Sequence, residues 1–204
     1  MMGLGMTSDY SMGISRLTVD KLGVKLYDKA SAVIAELIAN AYDADATEVT
    51  VHAPMGRYLA TRNGGTLSDK GFEVVVTDNG SGMTPQQMQD FFLVVGTERR
   101  IDPNRGNCSK RFECKAMGRK GVGKLAPFGI CRTIEVISAG GDRITNGGKG
   151  GPDSGYLTSH IEIHYDDIVN LGDEPDERYK PIIGEKDQSL SSKSGTKIVL
   201  RNFN

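Results

Sequence analysis

One stretch restricts this chain more than any other, Ala32 to Ala46, AVIAELIANAYDADA. Ala, Leu, Glu and Ile dominate it, and Gly and Pro are absent, so it is expected to be a helix. At about 100° per residue, Glu36, Asn40 and Asp43 fall in one narrow stripe. Val33, Ile34, Leu37, Ile38 and Ala41 cover the adjoining side, and Ala35, Ala39 and Tyr42 fill most of the rest. A helix that is apolar nearly all round is normally buried. Buried polar groups are costly unless something pairs with them. The stripe is therefore either the solvent face of an amphipathic helix, or a row of groups that the protein or a ligand must satisfy.

The sequence downstream of this helix reads as strands. Thr47 to Ala53 alternates apolar and polar residues, the pattern of a half-buried strand. Pro54 to Lys70 carries Asn63-Gly64-Gly65, a turn signal within a hairpin-like loop. Phe72 to Thr77, FEVVVT, is the strongest strand in the chain. It runs straight into Asp78-Asn79-Gly80-Ser81-Gly82-Met83. A carboxylate at a strand end followed by glycines presents a side chain at a pocket floor and lets a ligand approach the backbone; a plain tight turn is the simpler reading. Thr84-Pro85-Gln86-Gln87 predicts a capped helix start, with the helix ending at Gly96. Thr133 to Ser138, Leu157 to Tyr165 and Lys197 to Leu200 read as further strands. Gly140 to Gly155 reads as a turn-like loop, and residues 166–192 as loop with a short helix.

Residues 96–124 differ in character. They hold nine basic against three acidic residues, a net +6, with Gly, Pro and Asn scattered among them. A loop this long is usually functional or disordered. It is read as a lid that neutralises phosphates, or as a solvated basic loop. It closes on Gly118-Arg119-Lys120-Gly121-Val122-Gly123-Lys124, and backbone N–H groups of a Gly-rich turn are a ready anion site. This segment fits the first seven positions of a P-loop. The eighth, which should supply a hydroxyl for Mg²⁺, is Leu125, and no buried strand precedes it. Both failures argue against a P-loop NTPase.

Composition excludes several classes. At 38% hydrophobic and 25% charged the chain is of ordinary globular make-up, without an apolar run long enough for a membrane span or a signal-peptide pattern. A net charge of −1 gives the whole chain no nucleic-acid footprint. Cys108, Cys114 and Cys131 are odd in number and lack a metal or disulfide spacing, so a reducing compartment, the cytoplasm, is expected. His160 and His164 alternate along a strand and are expected on one sheet face rather than on a metal.

The order of the pieces resembles the GHKL superfamily of gyrase B-type topoisomerases, Hsp90 chaperones, sensor histidine kinases and MutL proteins. A helix with Glu36-x-x-x-Asn40-x-x-Asp43-Ala44 comes first, then a strand ending in Asp78-x-Gly80-x-Gly82-Met83. A lid with Gly118-x-x-Gly121-x-Gly123 follows, and Gly195-Thr196 precedes the last strand. Four boxes in order across about residues 30–200 make the resemblance specific. Glu36 and the stretch Gly96-Thr97-Glu98-Arg99-Arg100 place it nearest the Hsp90, MutL and MORC branch.

The resemblance implies an α/β two-layer sandwich of the Bergerat type, with a mixed, mainly antiparallel sheet covered by helices on one face. It implies Mg-dependent ATP binding and hydrolysis. Asn40 would hold Mg²⁺, and Glu36 would be the base for the attacking water. Asp78 would accept from the adenine amino group, with Gly80, Gly82 and Met83 lining the base pocket and Thr196 supporting Asp78 or an ordered water at the adenine. Gly118, Gly121, Val122 and Gly123 would wrap the phosphates, with Lys124 or Lys120 adding charge and Asp43 in a supporting role. Residues 1–20 are expected to be an arm and 21–204 the ATP-binding domain, the first domain of a longer protein. ATP-driven homodimerisation and a following transducer domain are the expected partners, with weak activity in the isolated domain. A non-hydrolysing nucleotide switch is the alternative, and direct nucleic-acid contact by the basic loop is a third reading.

Overall fold

A computed structural model of the chain describes residues 9–13, 29–64, 66–95, 108–109, 111–118, 123–145, 154–170 and 178–203. Its centre is a seven-stranded sheet in the order β1-β4-β9-β5-β6-β7, with β8 also pairing β6. The strands are β1 (Val49–His52), β4 (Val74–Asp78), β5 (Cys131–Thr145), β6 (Ser154–His164), β7 (Ile182–Ile183), β8 (Leu190–Ser191) and β9 (Gly195–Phe203). Every pairing among them is antiparallel. The hairpin expected at Asn63-Gly64-Gly65 is a separate pair, β2 (Ala60–Asn63) with β3 (Thr66–Asp69).

One face of the sheet is the core. Period-2 alternation sends Val74 and Val76 of β4, Ile134 and Val136 of β5, Ile161 and Ile163 of β6 and Leu200 of β9 to that face. Helix α1 (Ala30–Asp43) lays Val33, Leu37 and Ala41 against it. A 3₁₀ segment, Gly123–Gly129, adds Leu125 and Phe128. Short α2 (Pro85–Gln87) continues as a π-helical turn, Met88–Phe92, and α3 is Tyr165–Val169. Thr84 caps α2 as expected: its hydroxyl accepts from Gln87 N–H, and the Gln87 side chain accepts from Thr84 N–H. A two-layer α/β sandwich with helices on one face is thus the architecture.

Two expectations change. The helix is not buried all round: Ala35, Ile38 and Tyr42 are exposed, because a single sheet gives α1 one surface to pack on. The loop expected from Gly140 is strand to Thr145, with a register shift between Gly140 and Ile144; a bulge absorbs the glycines. Residues 9–13 are tied to the body of the fold. Tyr10 and Met12 are buried, Met12 pairs with Tyr179 through two backbone hydrogen bonds, and Tyr10 donates to Asp187.

Candidate functional site

The first half of the site stands at the strand ends. β4 is held between β1 and β9 and delivers Asp78 on the core face. Asp78 Oδ1 accepts from Gly80 N–H at 2.8 Å and from Thr196 N–H at 3.3 Å. Its Oδ2 makes no hydrogen bond among the described residues. Burial pushes this carboxyl above the usual carboxylate range, against the opposing pull of the two N–H groups. The expected support from Thr196 is therefore its amide. Its hydroxyl instead meets Ser138 Oγ at 2.8 Å.

Ser138 fixes the turn that follows. Its Oγ accepts from Met83 N–H at 2.9 Å, and Ser159 Oγ donates to the Met83 carbonyl. Gly82 sits at φ +60°, and a Cβ there would lie 1.8 Å from the Ala139 carbonyl oxygen. A Cβ on Gly140 would in turn lie 2.5 Å from the Gly82 carbonyl carbon. Of Gly80 and Gly82, the glycines expected to admit a ligand to the backbone, Gly82 has its space filled by β5 backbone. Asn79, between the motif positions, accepts from Thr47 and Glu48 N–H and donates to Thr47 Oγ1, pinning the segment after α1.

The second half is the polar stripe of α1. Glu36, Asn40 and Asp43 lie within two turns on one side, with neighbours i, i+4 about 5–6 Å apart between Cβ atoms. Asn40 is exposed and its amide has no hydrogen bond among the described residues. Glu36 is half-buried against Gly123, where a Cβ would come within 2.6 Å of Glu36 Oε2. Asp43 accepts from the N–H groups of Met117 at 2.7 Å and Gly118 at 3.0 Å. The two halves join at Ala44, whose carbonyl accepts from Ser81 N–H at 2.8 Å.

Lys124 stands apart from both halves. Its ammonium donates to the Phe91 and Val94 carbonyls at the end of the π turn. Gly121, Val122 and Lys120 lie outside the described residues, as do most of the basic loop and Gly96 to Arg100.

Nothing else competes chemically with this arrangement. No cluster of three metal-ligating side chains occurs among the described residues. His160 and His164 share the outer face of β6 as expected, and each meets a carboxylate, Glu135 and Glu162. All three cysteines are free, and burial pushes the Cys131 thiol up to about 12. A cavity of about 640 Å³ opens on the outer face, lined by Thr77, Ile137, Thr158, Lys186 and Lys197 among others. Its lining takes in Asp78, Asn79, Gly195 and Thr196 but not Glu36 or Asn40, so it adjoins the strand-end half of the site. No described helix is long and apolar enough to cross a membrane.

No sequence pattern marks Ser138, Ser159 or Asn79, because their roles arise from partners 31 to 76 residues away.

The family model for histidine kinase-, DNA gyrase B- and HSP90-like ATPases matches residues 27–196. A Herpetosiphon aurantiacus protein assigned as a type II restriction enzyme, HgiDII, is 33% identical over 96% of this chain. The DNA mismatch repair protein MutL of Anaplasma phagocytophilum is 28% identical over 61%. The aligned part is 26% of the first protein's length and 17% of the second's.

Proposed function

The chain belongs to the histidine kinase-, DNA gyrase B- and HSP90-like ATPase family, and from that premise we propose that it binds Mg-ATP between α1 and the strand ends and hydrolyses it. The observation that carries this reading is the divided carboxylate of Asp78. Two backbone N–H groups hold Oδ1, and Oδ2 has no partner among the described residues. An acceptor fixed in this way suits the exocyclic amine of adenine and disfavours a base with a carbonyl there. Family membership supports ATP as the ligand; the remaining roles are our assignment.

Asn40, whose exposed side-chain amide has no partner among the described residues, would hold Mg²⁺, a cation that takes few protein ligands at nucleotides. When bound, Mg²⁺ would neutralise phosphate charge. Glu36 lies one turn before Asn40, and its contact with Gly123 restricts its carboxylate. It would accept the proton of the attacking water. The water oxygen bonds to the γ-phosphorus, and the bond to the β-phosphate oxygen breaks to release ADP.

Calorimetry with a non-hydrolysable ATP analogue, with and without Mg²⁺, tests binding; absence of heat in both overturns the reading. Glu36→Ala should keep binding and lower turnover by about 100-fold or more. Wild-type turnover in that variant would reassign the base, and binding without turnover in the unmutated protein would make the domain a nucleotide switch.

The two relatives are named for DNA restriction and DNA mismatch repair. We infer that in the whole protein the ATP cycle drives dimerisation and serves a DNA-processing machine. Sedimentation with and without the analogue, and ATP turnover with and without duplex DNA, test the two halves of that inference.

A further inference from the structure

The turn after α1 holds a carboxylate that the nucleotide reading does not use. Asp45 lies at φ +60°, in the left-handed region that glycine occupies without penalty and other residues do not. It is only 7% exposed. Its Oδ2 accepts from Arg111 N–H at 2.7 Å and its Oδ1 from Phe112 N–H at 3.2 Å. Asp43, two residues earlier, accepts from Met117 and Gly118 N–H. The loop between these attachments is closed on itself: Ser109 N–H donates to the Cys114 carbonyl, and Ser109 Oγ accepts from Cys114 N–H. Two carboxylates at one helix end thus hold four backbone amides of the loop, all within residues 111–118.

Each feature of Asp45 has a cost that a glycine would avoid. The backbone is strained, and a carboxylate is taken out of water. What it contributes is a pair of acceptors for the loop, and a buried carboxylate that accepts backbone N–H groups is well satisfied. We propose that Asp45 is a positioning residue of the nucleotide lid. It anchors residues 111–112 at the end of α1, so that Gly118 meets Asp43 and Gly123 meets Glu36. Gly118 and Gly123 are then held in register with the stripe of α1 before nucleotide arrives. This rests on the nucleotide reading for its consequence, but not for the anchoring itself.

The test uses the full-length protein with Asp45→Gly, which relieves the backbone strain while removing both acceptors, and Asp45→Asn, which keeps one. Without nucleotide, amide exchange at Arg111, Phe112, Met117 and Gly118 should accelerate about tenfold or more in Asp45→Gly and less in Asp45→Asn, with sheet amides unchanged. With ATP, KM should rise by about tenfold in Asp45→Gly while kcat stays within about twofold, because the ordering of the lid then draws on binding energy. Unchanged exchange at those four amides overturns the anchoring, whether or not ATP binds. Faster exchange across the whole sheet, or a fall in kcat at constant KM, overturns the positioning role. If the unmutated protein does not bind ATP, the functional reading fails and the exchange experiment still decides the anchor.

Discussion

At the strand ends the site is built of backbone packed on backbone; at the end of α1 it is built of carboxylates tying down a loop. In the first region Gly82 and Gly140 leave no room for a side chain between two stretches of main chain, and Ser138 and Thr196 fill the remaining hydrogen bonds. In the second, Asp43, Asp45 and Glu36 reach across to amides and a glycine of the loop. Close packing fails sharply when an atom is added, whereas a tethered loop can open locally while the fold persists. A rigid end suits recognition of a flat base. A tethered end suits a part that must rearrange around phosphates.

The largest expected effect breaks the rigid end. Gly82→Ala adds a Cβ 1.8 Å from the Ala139 carbonyl oxygen, at φ +60°. Displacing β5 backbone and holding alanine in the left-handed region should together cost about 3 kcal/mol or more. Urea unfolding of the variant measures this. A loss below about 1 kcal/mol would mean that the strand ends yield as readily as the loop, and the contrast between the regions would fall.

Asp78→Asn sharpens the same contrast by separating recognition from folding. The asparagine oxygen can still accept from Gly80 and Thr196 N–H, so the turn should survive. The new amide NH₂ faces the adenine amine, donor against donor, and binding should weaken by about 100-fold. Calorimetry and thermal unfolding on one sample check both halves. Acidification is a second route to that state. The Asp78 pKa is raised in the folded protein by burial. Its contribution to stability is therefore fully present below the unfolded carboxylate pKa and is lost as pH rises through the folded one. Nucleotide affinity should move in the opposite sense, falling as pH drops through the raised pKa and the acceptor becomes protonated. Affinity and stability measured from pH 7 downward should diverge, and Asp78→Asn should remove this group's share of both trends.

How far the sequence could anticipate this depends on the distance over which each residue finds its partner. The Glu36–Asn40–Asp43 stripe follows from helical period alone, and α1 carries it as read. Asp78 at a strand end and the Thr84–Gln87 cap are local patterns too, and both are present. Ser138 was not legible, because its work depends on Met83 and Thr196 coming to it through the β5–β9 register. Asp45 was hidden differently. Asp-Ala-Asp after a helix reads as an end signal, and only the path of the loop shows which amides arrive. Gly140 and Gly141 read as loop by composition, yet they stay in β5 because the turn at Gly82 needs a surface without side chains. The outer face repeats the lesson. Arg201 binds Glu73 and Glu135, and Glu135 meets His160; burial opposes ionisation of Glu135, but the hydrogen bonds with Arg201 and His160 outweigh it and lower its pKa. Those four residues span 128 positions of sequence.

The smallest expected effect concerns Lys124, the residue for which sequence and structure point to different work. The Gly-x-Gly-Lys order assigned it to phosphate, while its ammonium donates to the Phe91 and Val94 carbonyls. Cations at the end of a helical segment satisfy carbonyls that lack an internal partner. Lys124→Met keeps the stem and removes both of these hydrogen bonds. Stability should fall by about 1 kcal/mol, with ATP-analogue affinity within about threefold of the unmutated value. A large loss of affinity at unchanged stability would show that Lys124 leaves those carbonyls when phosphate arrives. The tethered region would then extend to the end of the π turn, and the boundary between the rigid and the movable part of the site would shift from Gly123 to Val94.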